Sequence, residues 1–150
     1  MKNVIGVGFA ALCALGITAV QAGDDGAEDA LEYRQGVFNA IAWSFGPMAG
    51  MVKNQMPYDA ALFTKHAERV AFLAHLPLEG FIPDSRVGDT TAKPEVWENS
   101  ADFEQQMQAM IDEAEKLYEV SKAGDLDAIR PQFGAVGQSC KGCHDDYRTE

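Results

Sequence analysis

Cys140-Lys141-Gly142-Cys143-His144 brings two thiols and an imidazole together within one short stretch. Two cysteines separated by two residues, with a histidine directly after, read as a c-type haem attachment site. The chemistry accounts for the spacing. Two thiols add across the two vinyl groups of one haem, and the adjacent imidazole reaches the iron. On a helix, Cys140 and His144 stand one turn apart on one face with Cys143 beside them. One helical face can therefore hold both thioether links and the axial ligand. Other chemistries fit the same letters less well. Zinc wants four ligands, and beyond this cluster the histidines are His66 and His75. A lone disulfide in an oxidising compartment leaves His144 unexplained. A thioredoxin-like pair follows a strand in a βαβ pattern, which is not visible here.

The opposite end of the chain supplies context. Met1-Lys2-Asn3 is a short positive start, followed by the apolar run Val4 to Ala19 and the small residues of Val20-Gln21-Ala22. The expected organisation is a signal peptide over residues 1–22, cleaved near Ala22, and one domain over 23–150. The apolar run is too short and too poorly flanked for a membrane span, so no membrane anchor is expected. A buried N-terminal helix is the competing reading. Cys13 lies inside this segment, and Leu12 makes a poor lipoprotein junction before it, so Cys13 is expected to be discarded. Export followed by attachment outside the cytoplasm is what a c-type site requires.

The charge balance bounds the partners. The 150-residue chain carries 23 acidic and 12 basic residues. Without Lys2 there are 23 against 11, a net charge of −12 with histidines neutral. Such a surface argues against nucleic acid and anionic membranes, and favours solubility or a basic partner. The length suits a single core. Internal repeats, low-complexity tracts and long charge blocks are not seen.

The elements that must position the motif follow from apolar period. Ala30, Arg34, Val37, Ile41, Phe45, Met48 and Val52 step by four and three, with Phe38, Ala42 and Ala49 widening the stripe. Gly46-Pro47 predicts a kink in one long helix rather than a break. Asn54 to Tyr58 is a turn, and Asp59 caps a second helix to about Leu76. Its stripe is Phe63, Ala67, Val70 and Ala74, joined by Leu62, Phe72 and Leu73. His66 and His75 fall on it and are expected to be surface or hydrogen-bonded histidines rather than ligands. Leu78 to Asn99 has no sustained period and reads as a long connection packed down by Phe81, Ile82, Val87 and Trp97, with a short helical turn near Pro94. Ser100 is the predicted cap of a third helix with Phe103, Met107, Met110, Ala114, Leu117 and Ser121 on one face. Gly124 ends it and Asp125 caps the fourth, whose stripe is Leu126, Ile129, Phe133, Val136, Cys140, Cys143 and Tyr147. The fold class is all-α, an antiparallel four-helix bundle with one crossover loop and a covalently attached haem inside it.

A single Cys-x-x-Cys-His near the C-terminus of such a chain resembles the cytochromes c′. The resemblance covers the whole mature chain. It is carried by Glu28-Asp29-Ala30 with Tyr33-Arg34-Gln35, Gly46-Pro47-Met48, Pro57-Tyr58-Asp59-Ala60, Lys93-Pro94-Glu95-Val96-Trp97 and the run Cys140 to Arg148. It implies a periplasmic homodimer packed through the first two helices, with one haem c per chain. It implies an iron bound by His144 alone, with the other axial face closed by a first-helix side chain at the position of Phe38. Low-spin relatives place a methionine ligand in that region. Phe38 cannot coordinate iron, so a five-coordinate, high-spin centre is expected. The resemblance also brings Gln35 and Thr91 to a propionate and sets Arg148 beside the proximal imidazole; a frayed, solvated terminal arginine is the plainer reading of Arg148.

Arg34 also falls on the inward stripe, and an inward arginine needs an anion; a haem propionate or an acidic neighbour would serve. A second protein ligand would have to come from Met48, Met51, Met56, Met107 or Met110. Methionine at heptad positions is more often packing. An open site behind an apolar lid predicts binding of nitric oxide and carbon monoxide, which need no hydrogen-bond donor, but not of oxygen. The competing reading is an electron-transfer cytochrome docking a basic redox partner. Peroxidase chemistry would need His66 or His75 at the iron, so no enzyme activity is expected.

Overall fold

The computed structural model describes residues 24–149. The proposed signal peptide, Cys13 included, lies outside the described residues. Helix α1 spans Asp24–Val52, α2 Ala60–Leu73, α3 Glu95–Glu98, α4 Ser100–Ser121 and α5 Leu126–Tyr147, with a 3-10 turn at Pro77–Gly80. The four long helices form the bundle: α1 packs on α2, α2 on α4, and α4 on α5. The short turns between α1 and α2 and between α4 and α5 make those neighbours antiparallel, and the long connection lies between α2 and α4.

Local chemistry explains most helix ends. Asn54 adopts φ 55°, the left-handed conformation that closes the turn after α1. Asp59 Oδ1 accepts from Leu62 N at 3.0 Å, and Asp125 Oδ1 accepts from Asp127 N at 3.0 Å. Gly124 takes φ 70° after α4, where a side chain would strain the backbone. The helix α1 runs on through Pro47, as one element.

Two boundaries differ from the sequence expectation. Ser100 does not cap α4; Asn99 precedes it without a side-chain cap bond. The reason is that α3 and α4 share Asn99. Its N–H donates to Glu95 O at 2.8 Å, closing α3, while its carbonyl accepts from Phe103 N at 3.0 Å and opens α4. No extended residue is left between them to serve as a cap. Helix α2 ends at Leu73 rather than near Leu76. The chain tightens there, with Leu76 N bonding to Leu73 O at 3.1 Å, and Pro77 opens the 3-10 turn.

The core follows the stripes closely on α4, where Phe103, Met107, Met110, Ala114, Leu117 and Ser121 are all buried. On α2, Phe63, Ala67, Val70 and Ala74 are buried, but Phe72 and Leu62 point outward. On α1 the buried line is Leu31, Arg34, Val37, Ile41, Ser44, Met48 and Met51, while Ala42 is exposed. The line turns because α1 is covered on two sides, by α2 and by the 3-10 turn. A Cβ on Gly80 would meet Ala30 O at 2.9 Å, so only glycine lets that turn approach α1 so closely.

Candidate functional site

Helices α1 and α5 touch only sparsely, and a cavity of about 680 Å³ separates them. At the far end Phe45 of α1 stacks on Phe133 of α5, with ring centroids 4.3 Å apart. That contact sets the gap. Val70 and Ala74 of α2 and Phe103, Met107 and Met110 of α4 also line it, as the core stripes expose an apolar surface where no fourth partner fills in.

The residues proposed for haem attachment, iron ligation and the two faces of the haem all border this one cavity. Cys140, Cys143 and His144 line it from α5, Arg34, Gln35 and Phe38 from α1, Thr91 from the long connection, and Arg148 from the C-terminal end. His66 and His75 do not line it. His66 is buried on α2 with its Nδ1 lacking a partner, and His75 Nε2 lies 2.9 Å from Glu115 Oε1 at the surface. Of the candidate methionine ligands, Met107 and Met110 border the cavity, whereas Met48 and Met51 are packed in the core and Met56 is exposed.

The local electrostatics suit neutral sulfur. Burial pushes the Cys140 thiol up. Burial first, then the charges of Cys140, Asp146 and Asp102, push Cys143 up to about 11. Burial, with Arg148 nearby, lowers His144, which favours the neutral imidazole that a metal binds. The backbone of Arg148 is held rather than frayed, while its side chain is exposed. Its N–H donates to His144 O at 3.1 Å, and it pairs as an antiparallel bridge with Ala92.

Arg34 is almost wholly buried, but its partners are neither a carboxylate nor another charge. It donates to Gly80 O at 2.7 Å, Ser85 O at 2.8 Å and the Ser85 hydroxyl at 3.1 Å, with its guanidinium 4.9 Å from the Phe81 ring centroid. Of the two anions considered for it, the acidic neighbour is not the partner: buried carbonyls supply negative dipoles to the guanidinium. Gln35 Nε2 donates to Asp89 O at 3.1 Å. Thr91 O accepts from Thr149 N at 2.9 Å. Phe38 meets Phe81 edge to face, 6.4 Å between centroids.

Sequence reasoning missed Ser85, which is fully buried and anchors Arg34, and Asp102, whose Oδ2 accepts from Tyr147 Oη at 2.6 Å. The bond to Asp102 pushes Tyr147 up to about 12. Gln106 Nε2 adds a 2.9 Å bond to Asp146 Oδ2, tying α4 to the last turn of α5. The Pro83-Asp84-Ser85 turn signal was present for Ser85; nothing local marks Asp102.

Two free thiols and an imidazole on one wall of a cavity lined mostly by apolar side chains are the donor set a haem c requires, and the residues present fit it. Cys140 and Cys143 would hold it covalently and His144 would bind its iron. Among the described residues no three or more His, Cys, Asp and Glu side chains converge as a metal site, so the zinc reading finds no ligand set.

The family described as "Cytochrome C'" matches residues 29–148. The chain is 46% identical to the cytochrome c′ of Alcaligenes xylosoxydans xylosoxydans over 123 residues, 82% of this chain and 95% of that one. It is 40% identical over 129 residues to the cytochrome c′ of Halomonas halodenitrificans, covering 82% and 98%. The solved cytochrome c prime from Shewanella frigidimarina superposes with a TM-score of 0.81 at 44% identity, over 83% of this chain and 97% of that one. A nitric oxide complex of a variant cytochrome c prime from Alcaligenes xylosoxidans superposes at 0.77 with 44% identity, over 83% and 97%.

Proposed function

The chain belongs to the cytochrome c′ family and carries haem c, and from that premise we propose that it is a periplasmic protein that captures nitric oxide, and carbon monoxide, at a five-coordinate, high-spin iron. When bound, the haem supplies an iron with an axial position free for a small ligand. The rest is the work of this chain. Cys140 and Cys143, half-buried with their thiols pushed up by burial, would form the thioether links, and His144 would bind the iron. The single observation that carries the reading is Phe38 on the cavity wall opposite the attachment helix, braced by the edge of Phe81. A phenyl ring cannot ligate iron, and it must swing aside to admit a ligand.

Selection against oxygen rests on the lack of a polar partner for it. Phe38, Ile41, Ala42 and Phe45 make most of that stretch of the wall apolar, with Asn39 its polar exception, and the Gln35 amide is turned to Asp89 O. Neither His66 nor His75 borders the cavity to move a proton, which favours a binding protein over a peroxidase. Arg34, Gln35 and Thr91 border the cavity, which supports reading them as the groups that would meet the propionates. The nitric oxide complex of a relative at 44% identity supports the choice of ligand.

The protein is exported, with its leader removed near Ala22, and it pairs as a homodimer through α1 and α2. Among the described residues no helix is long and apolar enough to cross a membrane. Trp43 on α1 and Phe72 on α2 are 80% and 68% exposed, which supports an interface on those two helices. Electron transfer remains the second reading because Met107 and Met110 border the cavity, and a sulfur ligand would make the iron six-coordinate.

Optical spectra of the oxidised and reduced holoprotein, with and without nitric oxide, decide between them. High-spin bands that shift on adding the gas are expected, and Phe38→Ala should bind it faster by about tenfold or more as distal access opens. Sharp low-spin bands indifferent to the gas would overturn the binding reading in favour of electron transfer.

A further inference from the structure

At the end of helix α5 the carbonyls of residues 145–147 have no partner further along the helix. Residues 145–150 contain no glycine to build a left-handed cap. Each carbonyl is nonetheless satisfied. His144 O accepts from Arg148 N at 3.1 Å, and Tyr147 O accepts from Lys93 N at 2.9 Å. Asp145 O and Asp146 O both accept from the ammonium of Lys93, at 2.9 Å and 3.1 Å. One residue of the long connection therefore serves all three carbonyls that the helix itself leaves open. Its positive charge also sits where the helix dipole is negative.

The neighbours of Lys93 complete the clasp. Thr149 N donates to Thr91 O at 2.9 Å, and Ala92 bridges Arg148. Pro94 follows directly, fixes its own φ and opens α3, so the backbone of the connection is stiff where it grips α5. His144 stands on the gripped turn.

We propose that Lys93 is a positioning residue for the axial imidazole: it holds the last turn of α5 helical and so fixes His144, and Arg148 after it, against the cavity. The inference rests on the proximal role proposed for His144. Losing the ammonium frees two carbonyls, lets the turn fray and gives the imidazole alternative settings.

The test uses the holoprotein with Lys93→Met, Lys93→Arg and, as a charge control on α4, Lys116→Met. Two measurements are made by nuclear magnetic resonance. One is backbone amide exchange across residues 144–148. The other is the paramagnetically shifted signals of the His144 ring. In Lys93→Met the exchange should quicken by about tenfold or more, as for loss of a charge-assisted bond, with α1 and α2 unaffected. The ring signals should broaden or divide. Lys93→Arg, which can still donate to both carbonyls, should restore both readouts, and Lys116→Met should move neither. If Lys93→Met does not fold, the milder Lys93→Gln is read the same way. Unchanged exchange and ring signals, a loss spread equally over all helices, or failure of arginine to rescue would each overturn the proposal. Absence of shifted ring signals in the native protein would instead overturn the axial role of His144, while amide exchange would still decide the clasp.

Discussion

Arg34 grips Ser85 twice across 51 positions of sequence, donating to its carbonyl at 2.8 Å and its hydroxyl at 3.1 Å, and the same guanidinium donates to Gly80 O at 2.7 Å. Three acceptors around one planar fork explain why the long connection stays folded against α1. They also explain why an arginine is tolerated on an otherwise apolar stripe. Burial lowers its pKa, but not enough to neutralise a guanidinium.

Arg34→Met keeps most of the buried stem and leaves the Gly80 and Ser85 carbonyls unpaired. It should destabilise the protein by about 2–4 kcal/mol. Urea unfolding reads this as a lower midpoint at unchanged slope. Arg34→Lys should recover little, because a point charge cannot serve three acceptors held in a fork. A loss within experimental scatter for Arg34→Met would remove the guanidinium from its structural role.

Tyr147 gives the pH dependence. Its hydroxyl donates to Asp102 Oδ2, and that bond raises its pKa from 10.0 to about 12. The folded state favours the protonated phenol. Its contribution is therefore complete below pH 10 and is lost as pH rises towards about 12. Native protein should lose thermal stability more steeply across that window than Tyr147→Phe, which lacks the titrating group and starts from a lower melting temperature. Parallel curves for the two proteins would mean that the Asp102 bond contributes nothing.

Trp43 and Phe72 test the proposed dimer. If α1 and α2 form its interface, Trp43→Ala should weaken association by about 2 kcal/mol or more, as for a central aromatic anchor. Analytical ultracentrifugation would show a dimer giving way to monomer, with helix content by circular dichroism unchanged. A native protein that sediments as a monomer at all accessible concentrations would end the proposal.

The attachment motif, the helical stripes and the caps at Asp59, Asp125 and Gly124 were all legible in the sequence. Each is local: a spacing of three or four residues, or a side chain bonding to a backbone group within the same turn. The cofactor chemistry was legible for the same reason, since Cys140, Cys143 and His144 are neighbours on one helical face. The cap at Ser100 failed because α3, foreseen as a short turn near Pro94, runs on to share Asn99 with α4. The outward faces of Phe72 and Leu62 failed because apolar type alone does not say which side of a helix its neighbours cover.

What only tertiary structure decided is who pairs with whom across the long connection. Arg34 announced an inward charge, but whether carbonyls, carboxylates or propionates met it depended on where residues 77–90 run. Lys93 looked like part of a loop, yet it serves three carbonyls of α5. The physical reason is that hydrogen-bond satisfaction is a global condition. Local pattern places donors and acceptors along the chain, and only the folded path brings them within 3 Å.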